Sequence, residues 1–120
     1  MLLRYFMGPQ SLMEMVQIYD WQDYQNLPLT KWKIKQPRDD EHRPEALQLG
    51  TLDLILVPGM AFTSEGLRLG RGKGYYDKYL SRVHDQGLKP KVIALAFKEQ
   101  ILPDIPCGEH DFILDSVVSP

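Results

Sequence analysis

Two short, almost wholly apolar runs frame the middle of this chain and restrict its fold more than any other feature. The first, 52–57, reads Leu-Asp-Leu-Ile-Leu-Val and stops at Pro58-Gly59; the second, 91–97, reads Lys-Val-Ile-Ala-Leu-Ala-Phe. Apolar runs of this length that end at turn formers read as strands buried in a parallel sheet. Between them Tyr76, Tyr79, Leu80 and Val83 recur at i, i+3, i+4 and i+7, the stripe of an amphipathic helix. Lys78, Ser81, Arg82, His84 and Asp85 take the water-facing positions, and Gly87 with Lys89-Pro90 supplies the stop. Strand, loop, helix, strand in that order predicts a right-handed crossover in a parallel or mixed sheet. The expected class is α/β, with ligands held beyond the carboxyl ends of the strands.

The flanks are less regular. Leu12 to Ile18 alternates toward its end and predicts a strand, and Trp21 to Asn26 predicts a short helical turn. Leu27 to Pro37, interrupted by prolines, is expected to be extended. The acids and His42 within 39–43 form a polar connector rather than a metal site, because nothing nearby repeats the ligand types. Beyond the second apolar run come the loop 102–106 and then a strand over Phe112 to Val118, which Asp111 precedes as a turn former.

The whole chain, 120 residues with 43% hydrophobic and 25% charged, suits a single α/β domain over 1–120. A net charge of −2 gives no global pull toward nucleic acid or anionic membrane, so any cationic chemistry has to be local. Cys107 is the only cysteine, which excludes an internal disulfide and a cysteine-rich metal site. The apolar start is too short for a signal peptide, and no stretch approaches the length of a membrane span. The expectation is a soluble, cytoplasmic protein.

Local cationic chemistry sits where the crossover would place a ligand. From Arg68 to Asp77 the chain reads Arg-Leu-Gly-Arg-Gly-Lys-Gly-Tyr-Tyr-Asp. Alternating glycines bring bare N–H groups against a ligand, while Arg68, Arg71 and Lys73 suit phosphate or carboxylate oxygens. The helix that follows adds its own N-terminal preference for anions. Asp77, in the first turn, suits a divalent cation bridging to phosphate, since Mg²⁺ takes one or two carboxylates plus phosphate oxygens. The spacing is not a Walker A loop: Gly66 is one residue too far from Gly72, and Gly74 follows Lys73. A dinucleotide fingerprint from Gly70 would need glycine at Tyr75, so that also fails. A nucleic-acid groove is disfavoured because the basic cluster is short and lacks interleaved stacking aromatics.

The run Leu-Val-Pro-Gly-Met-Ala-Phe, followed by Gly66 to Asp77, resembles the 5-formyltetrahydrofolate cyclo-ligase (methenyltetrahydrofolate synthetase) family. The likeness continues through Ala94-Leu-Ala-Phe-Lys-Glu-Gln100 and Glu109-His-Asp111, and backward through Gln36-Pro37 and Glu45-Ala46-Leu47 to about Arg4-Tyr5. The resemblance implies a three-layer α/β/α fold with a mostly parallel sheet, here N-terminally truncated. It also implies a ligase of folate one-carbon metabolism, forming 5,10-methenyltetrahydrofolate, ADP and phosphate from 5-formyltetrahydrofolate and ATP.

By that resemblance Arg68, Leu69, Gly70, Arg71, Gly72, Lys73, Gly74, Tyr75 and Tyr76 contact ATP. Arg71 and Lys73 are the catalytic cations, and Arg71, Gly72, Lys73, Gly74 and Tyr75 also touch the folate. Asp77 and Asp111 share Mg²⁺. Tyr75 is the expected ring contact to the pterin and Tyr76 a core residue; Met60 and Phe62 are candidates for the folate pocket, and Trp32 is expected as a buried packing aromatic. Thr63 stands where the family usually has an acid, and its hydroxyl is expected to accept a hydrogen bond within the loop. The family carries a further N-terminal region, so exposed apolar surface and association with another chain are expected here, with a monomer expected for a full-length protein. The alternative function is a non-catalytic nucleotide- or folate-binding module.

Overall fold

A computed structural model describes residues 2–6, 12–70, 74–106 and 112–120, with side chains from residue 13 onward. The chain divides into two compact units, Met1–Thr51 and Leu52–Pro120.

In the first unit, β1 (Leu2–Phe6) and β2 (Leu12–Val16) form an antiparallel pair that runs from Leu2 opposite Val16 to Phe6 opposite Leu12. Met13, Met15 and Val16 are buried. The strand ends before the expected Ile18, because Gln17 N–H turns to the Pro44 carbonyl. Helix α1 (Trp21–Gln25) is capped by Asp20, whose carboxylate accepts the Asp23 N–H at 2.8 Å. Asp23 in turn receives both forks of Arg43, at 2.7 and 2.8 Å, and the Tyr19 N–H at 3.0 Å. These donors hold its carboxyl down at about 2, with the Arg43 hydrogen bonds the main cause. A short helix α2 (Ala46–Leu49) is capped by Glu45, a buried acid whose two oxygens accept from Leu47 N–H and Met15 N–H. The 27–37 stretch is a tight loop closed by a bridge between Leu29 and Lys35, and Trp32 lies 60% exposed on it rather than buried. The turn is organised by the Thr30 hydroxyl, which accepts from Trp32 and Ile34 N–H.

The second unit contains the predicted crossover. Strand β3 (Leu54–Val57) pairs in parallel with β6 (Lys91–Leu95), and β6 pairs in parallel with β7 (Ser116–Val118), giving the order β3-β6-β7. Helix α3 (Tyr75–Asp85) connects β3 to β6 and buries Tyr79, Leu80 and Val83, three of the four stripe residues. Gly87 has φ +78 just past its end. This is an α/β arrangement with a parallel sheet.

Two features depart from the sequence reading. Among the described residues the sheet buries one face: Ile55, Val57, Val92 and Ala94 are 3% exposed or less, whereas Leu54 and Leu56 are each 52% and Leu95 is 61% exposed. A continuous apolar run had predicted burial on both faces. The segment 60–69, expected to be loop, carries a small antiparallel pair, β4 (Ala61–Phe62) with β5 (Arg68–Leu69). Its turn is closed by Thr63 N–H to Leu67 O and by Leu67 N–H to the Thr63 hydroxyl at 3.1 Å. The sheet strands are also shorter than their apolar runs. β6 stops at Leu95, and a 3₁₀ turn, Lys98–Gln100, follows it.

Candidate active site

The segment from Pro58 to Gly70 leaves the carboxyl end of β3, and Gly74 precedes α3. Arg68, on β5, organises the segment. Its side chain is only 5% exposed, with Nη1 donating to the Pro58 carbonyl at 3.0 Å and Nη2 3.5 Å from the Asp77 carboxylate. The guanidinium also stacks over the Tyr76 ring at 5.1 Å. One buried cation thus ties the strand end, the hairpin and the first turn of α3 together. Arg68 is therefore engaged with the protein on three sides.

Gly59 is required by this packing. A Cβ there would lie 2.7 Å from Phe62 Cζ and 2.9 Å from Arg68 Cγ, closer than side chains approach. Gly66, at φ +96, allows the turn of the hairpin and exchanges hydrogen bonds with its neighbourhood: its carbonyl accepts the Leu114 N–H at 2.9 Å. The loop lies close to the 3₁₀ turn as well. Gln100 Nε2 donates to Gly59 O at 2.9 Å and to Met60 O at 3.4 Å, while its Oε1 accepts the Phe97 N–H at 2.8 Å.

The sequence-predicted residues fall into distinct settings. Leu69 contributes its carbonyl to Met60 N–H at 2.8 Å, so its backbone closes the hairpin. Gly70 passes beside the Arg68 guanidinium, where a Cβ would sit 3.1 Å from Nη1. Gly74 caps α3 at φ +69 without a side-chain hydrogen bond, and a helix N-terminus favours an anion. Tyr75 and Tyr76 are half-buried. Burial pushes the Tyr76 phenol above its ordinary pKa, with Arg68 opposing, so it stays neutral and can donate a hydrogen bond. Arg71, Gly72, Lys73 and Asp111 lie outside the described residues.

Two pocket candidates separate clearly. Phe62 is fully buried and belongs to the core, whereas Met60 is 56% exposed on the outer side of the loop. Thr63, 1% exposed, is the hydrogen-bonding turn residue its chemistry predicts. Sequence reasoning missed two organisers: the inward orientation of Arg68, and Gln100. A buried arginine cannot be told from a ligand-facing one by spacing alone, and Gln100 lies 40 residues downstream of Met60.

Asp77, in the first turn of α3, is the described acid that faces Arg68. Its Oδ1 accepts the Phe112 N–H at 3.4 Å, and its Oδ2 faces Arg68 at 3.5 Å. Both contacts are long, so lone pairs remain for a cation. Among the described residues no three His, Cys, Asp or Glu side chains gather as a metal cage. A carboxylate such as Asp77 fits Mg²⁺ held jointly with phosphate oxygens.

The parallel crossover places the chain among α/β proteins, in whose open sheets ligands lie beyond the carboxyl ends of the strands. The chain belongs to the 5-formyltetrahydrofolate cyclo-ligase family, which matches residues 3–120. It is 52% identical over 107 residues to a mouse 5-formyltetrahydrofolate cyclo-ligase, covering 88% of this chain and 53% of that protein. A probable 5-formyltetrahydrofolate cyclo-ligase of Caenorhabditis elegans is 44% identical over 115 residues, 94% of this chain and 56% of the relative. The chain thus spans about half the length of these curated relatives. Among solved structures, the Aquifex aeolicus 5,10-methenyltetrahydrofolate synthetase aligns with TM-score 0.57 and 26% identity over 93% of this chain and 50% of that one. The Mycoplasma pneumoniae 5,10-methenyltetrahydrofolate synthetase aligns with TM-score 0.51 and 34% identity, covering 70% and 45%.

Proposed function

We propose that this chain carries the phosphoryl-transfer segment of an ATP-dependent 5-formyltetrahydrofolate cyclo-ligase, a cytoplasmic enzyme of folate one-carbon metabolism. The overall conversion is 5-formyltetrahydrofolate plus ATP to 5,10-methenyltetrahydrofolate, ADP and phosphate. The observation that supports this reading is the Arg68–Asp77 sequence, with its alternating glycines and cations, in a chain where Arg68 and Leu69 follow β3 as β5 and Gly74 to Asp77 open α3.

The formamide oxygen is a poor leaving group. Transfer of the γ-phosphoryl group to it makes it a good one; attack of N10 on the activated carbon then closes the ring, and loss of the N10 proton with departure of phosphate leaves the methenyl bridge. Such a transfer needs positioning and charge neutralisation more than covalent help. Arg71 and Lys73 are assigned to the transferring phosphoryl group, and Leu69 to Tyr76 to the nucleotide through backbone N–H groups and side chains. Arg71 to Tyr75 also meet the folate, with Tyr75 against the pterin and Met60 on the rim. Arg68, buried and bound to Pro58 O and Asp77, serves the site by fixing the loop and orienting Asp77. Asp77, with Asp111, would hold Mg²⁺, which neutralises phosphate charge when bound.

The test is a Mg·ATP-dependent absorbance assay for methenyltetrahydrofolate on the purified chain, with Lys73→Ala beside it. Loss of a cation at the transferring group is expected to lower turnover on the order of 100-fold. Equal rates for both proteins would remove Lys73 from catalysis. A second reading, a nucleotide- or folate-binding module without turnover, is favoured by the exposed apolar side chains Leu54, Leu56 and Leu95 on one sheet face. It predicts binding of Mg·ATP or folate with no product at any protein concentration.

A further inference from the structure

The Ala94–Gln100 run ends in a residue to which the proposed reaction gives no part, and its side chain bonds the loop backbone at Gly59 and Met60. We propose that Gln100 is a positioning residue for folate binding, acting through the Gly59–Met60 backbone. This rests on the cyclo-ligase reading for the identity of the ligand.

The carboxamide makes three contacts in one orientation: Nε2 toward Gly59 O (2.9 Å) and Met60 O (3.4 Å), and Oε1 toward Phe97 N–H (2.8 Å). Reversing it would set an oxygen against two carbonyls and an NH₂ against an N–H, so the network fixes the flip. On the other side of the same loop Arg68 holds the Pro58 carbonyl, and Leu69 O holds Met60 N–H. Three successive carbonyls, Pro58 to Met60, are therefore tied by two side chains from separate elements. Gly59 cannot carry a side chain of its own because Phe62 and Arg68 fill the space. The loop is held by its backbone, and what it presents outward is the Met60 side chain, 56% exposed. Gln100 does not reach that surface; it determines where Met60 stands. The loop lies at the carboxyl end of β3, where a sheet of this type binds its ligand.

The discriminating variant is Gln100→Glu. It keeps the acceptor for Phe97 N–H, and so the 3₁₀ turn, but replaces the donor with an oxygen facing two carbonyls. Calorimetric titration of the whole chain with 5-formyltetrahydrofolate, and separately with Mg·ATP, reads the result. The expected outcome is folate affinity weakened about tenfold, the equivalent of one lost hydrogen bond, with Mg·ATP affinity unchanged within about twofold. Combined with Met60→Ala, the loss should be less than additive, because both changes act on one contact. Unchanged folate affinity, or an equal loss for both ligands, would overturn the proposal. Should the wild-type chain bind no folate, the ligase reading fails by itself. Positioning is then read from amide hydrogen exchange over 59–62 in the free protein. Faster exchange in Gln100→Glu but not in Lys98→Ala, on the same turn, supports it; identical exchange in all three proteins overturns it.

Discussion

A single arginine at position 68 shows how much of this site depends on where one side chain points. Its fork reaches the Pro58 carbonyl and the Asp77 carboxylate together, a geometry that a lysine ammonium cannot reproduce. Arg68→Lys is expected to lose about 2 kcal/mol of stability, the value of a hydrogen bond to a charged group, read as a lower urea midpoint at unchanged slope. An unchanged midpoint would mean the fork adds nothing. Gly59→Ala should cost about 1–3 kcal/mol by overpacking, since its Cβ meets Phe62 and Arg68. Asp23 offers a prediction in pH. Its carboxyl is depressed from 3.8 to about 2 by Arg43 and the Tyr19 N–H, so the folded state holds the charged form more tightly than the unfolded chain does. That stabilisation is fully present above 3.8 and is lost as pH falls through about 2. Asp23→Asn should flatten the melting temperature against pH across this window, whereas a slope equal to the wild type would assign the acid sensitivity to other carboxylates.

Among the elements, those with a strong period were legible and those made by side-chain bonding were not. The α3 stripe was readable because Tyr79, Leu80 and Val83 must share a face to be buried, and Gly87 ends the helix region at positive φ. The parallel β3–β6 pair followed from two apolar runs on either side of that helix. The β4–β5 pair was not legible: it has two residues per strand, and its turn closes through Thr63 rather than through a turn dipeptide. Thr63→Val keeps the shape and removes the acceptor of the Leu67 N–H, in a position only 1% exposed. The expected cost is about 1 kcal/mol, with faster amide exchange at Leu67; protection equal to the wild type would show that the Thr63 N–H to Leu67 O bond alone holds the turn. Long-range contacts such as Gln100 to Gly59 carry no local pattern at all, which is why the partner of the Pro58–Met60 loop emerges only in three dimensions.

At the scale of the whole molecule, the sheet of the second unit has a dry side and a wet side of nearly equal apolarity. Register fixes which residues share the wet side: Leu56 stands opposite Ile93, Leu95 opposite Val118, and Leu54 lies two residues before Leu56. Leu54, Leu56, Leu95 and Val118 are each about half exposed or more, and Phe97, just past β6, is 71% exposed. Parallel sheets are ordinarily covered on both faces, and apolar patches on the order of several hundred Å² are uncommon on stable monomers. Water contact on this side is costly, and association with further copies relieves it without any change of fold. Sedimentation velocity over a wide concentration range should therefore show mass above that of one 13.9 kDa chain, rising with concentration. Paired Leu56→Lys and Leu95→Lys substitutions would place two charges at the centre of the patch while leaving Ile55, Val57, Val92 and Ala94 in place. The double variant should sediment as a single chain with an unaltered far-ultraviolet spectrum. A wild-type chain that remains monomeric at every concentration would show that this face, although apolar, does not drive association.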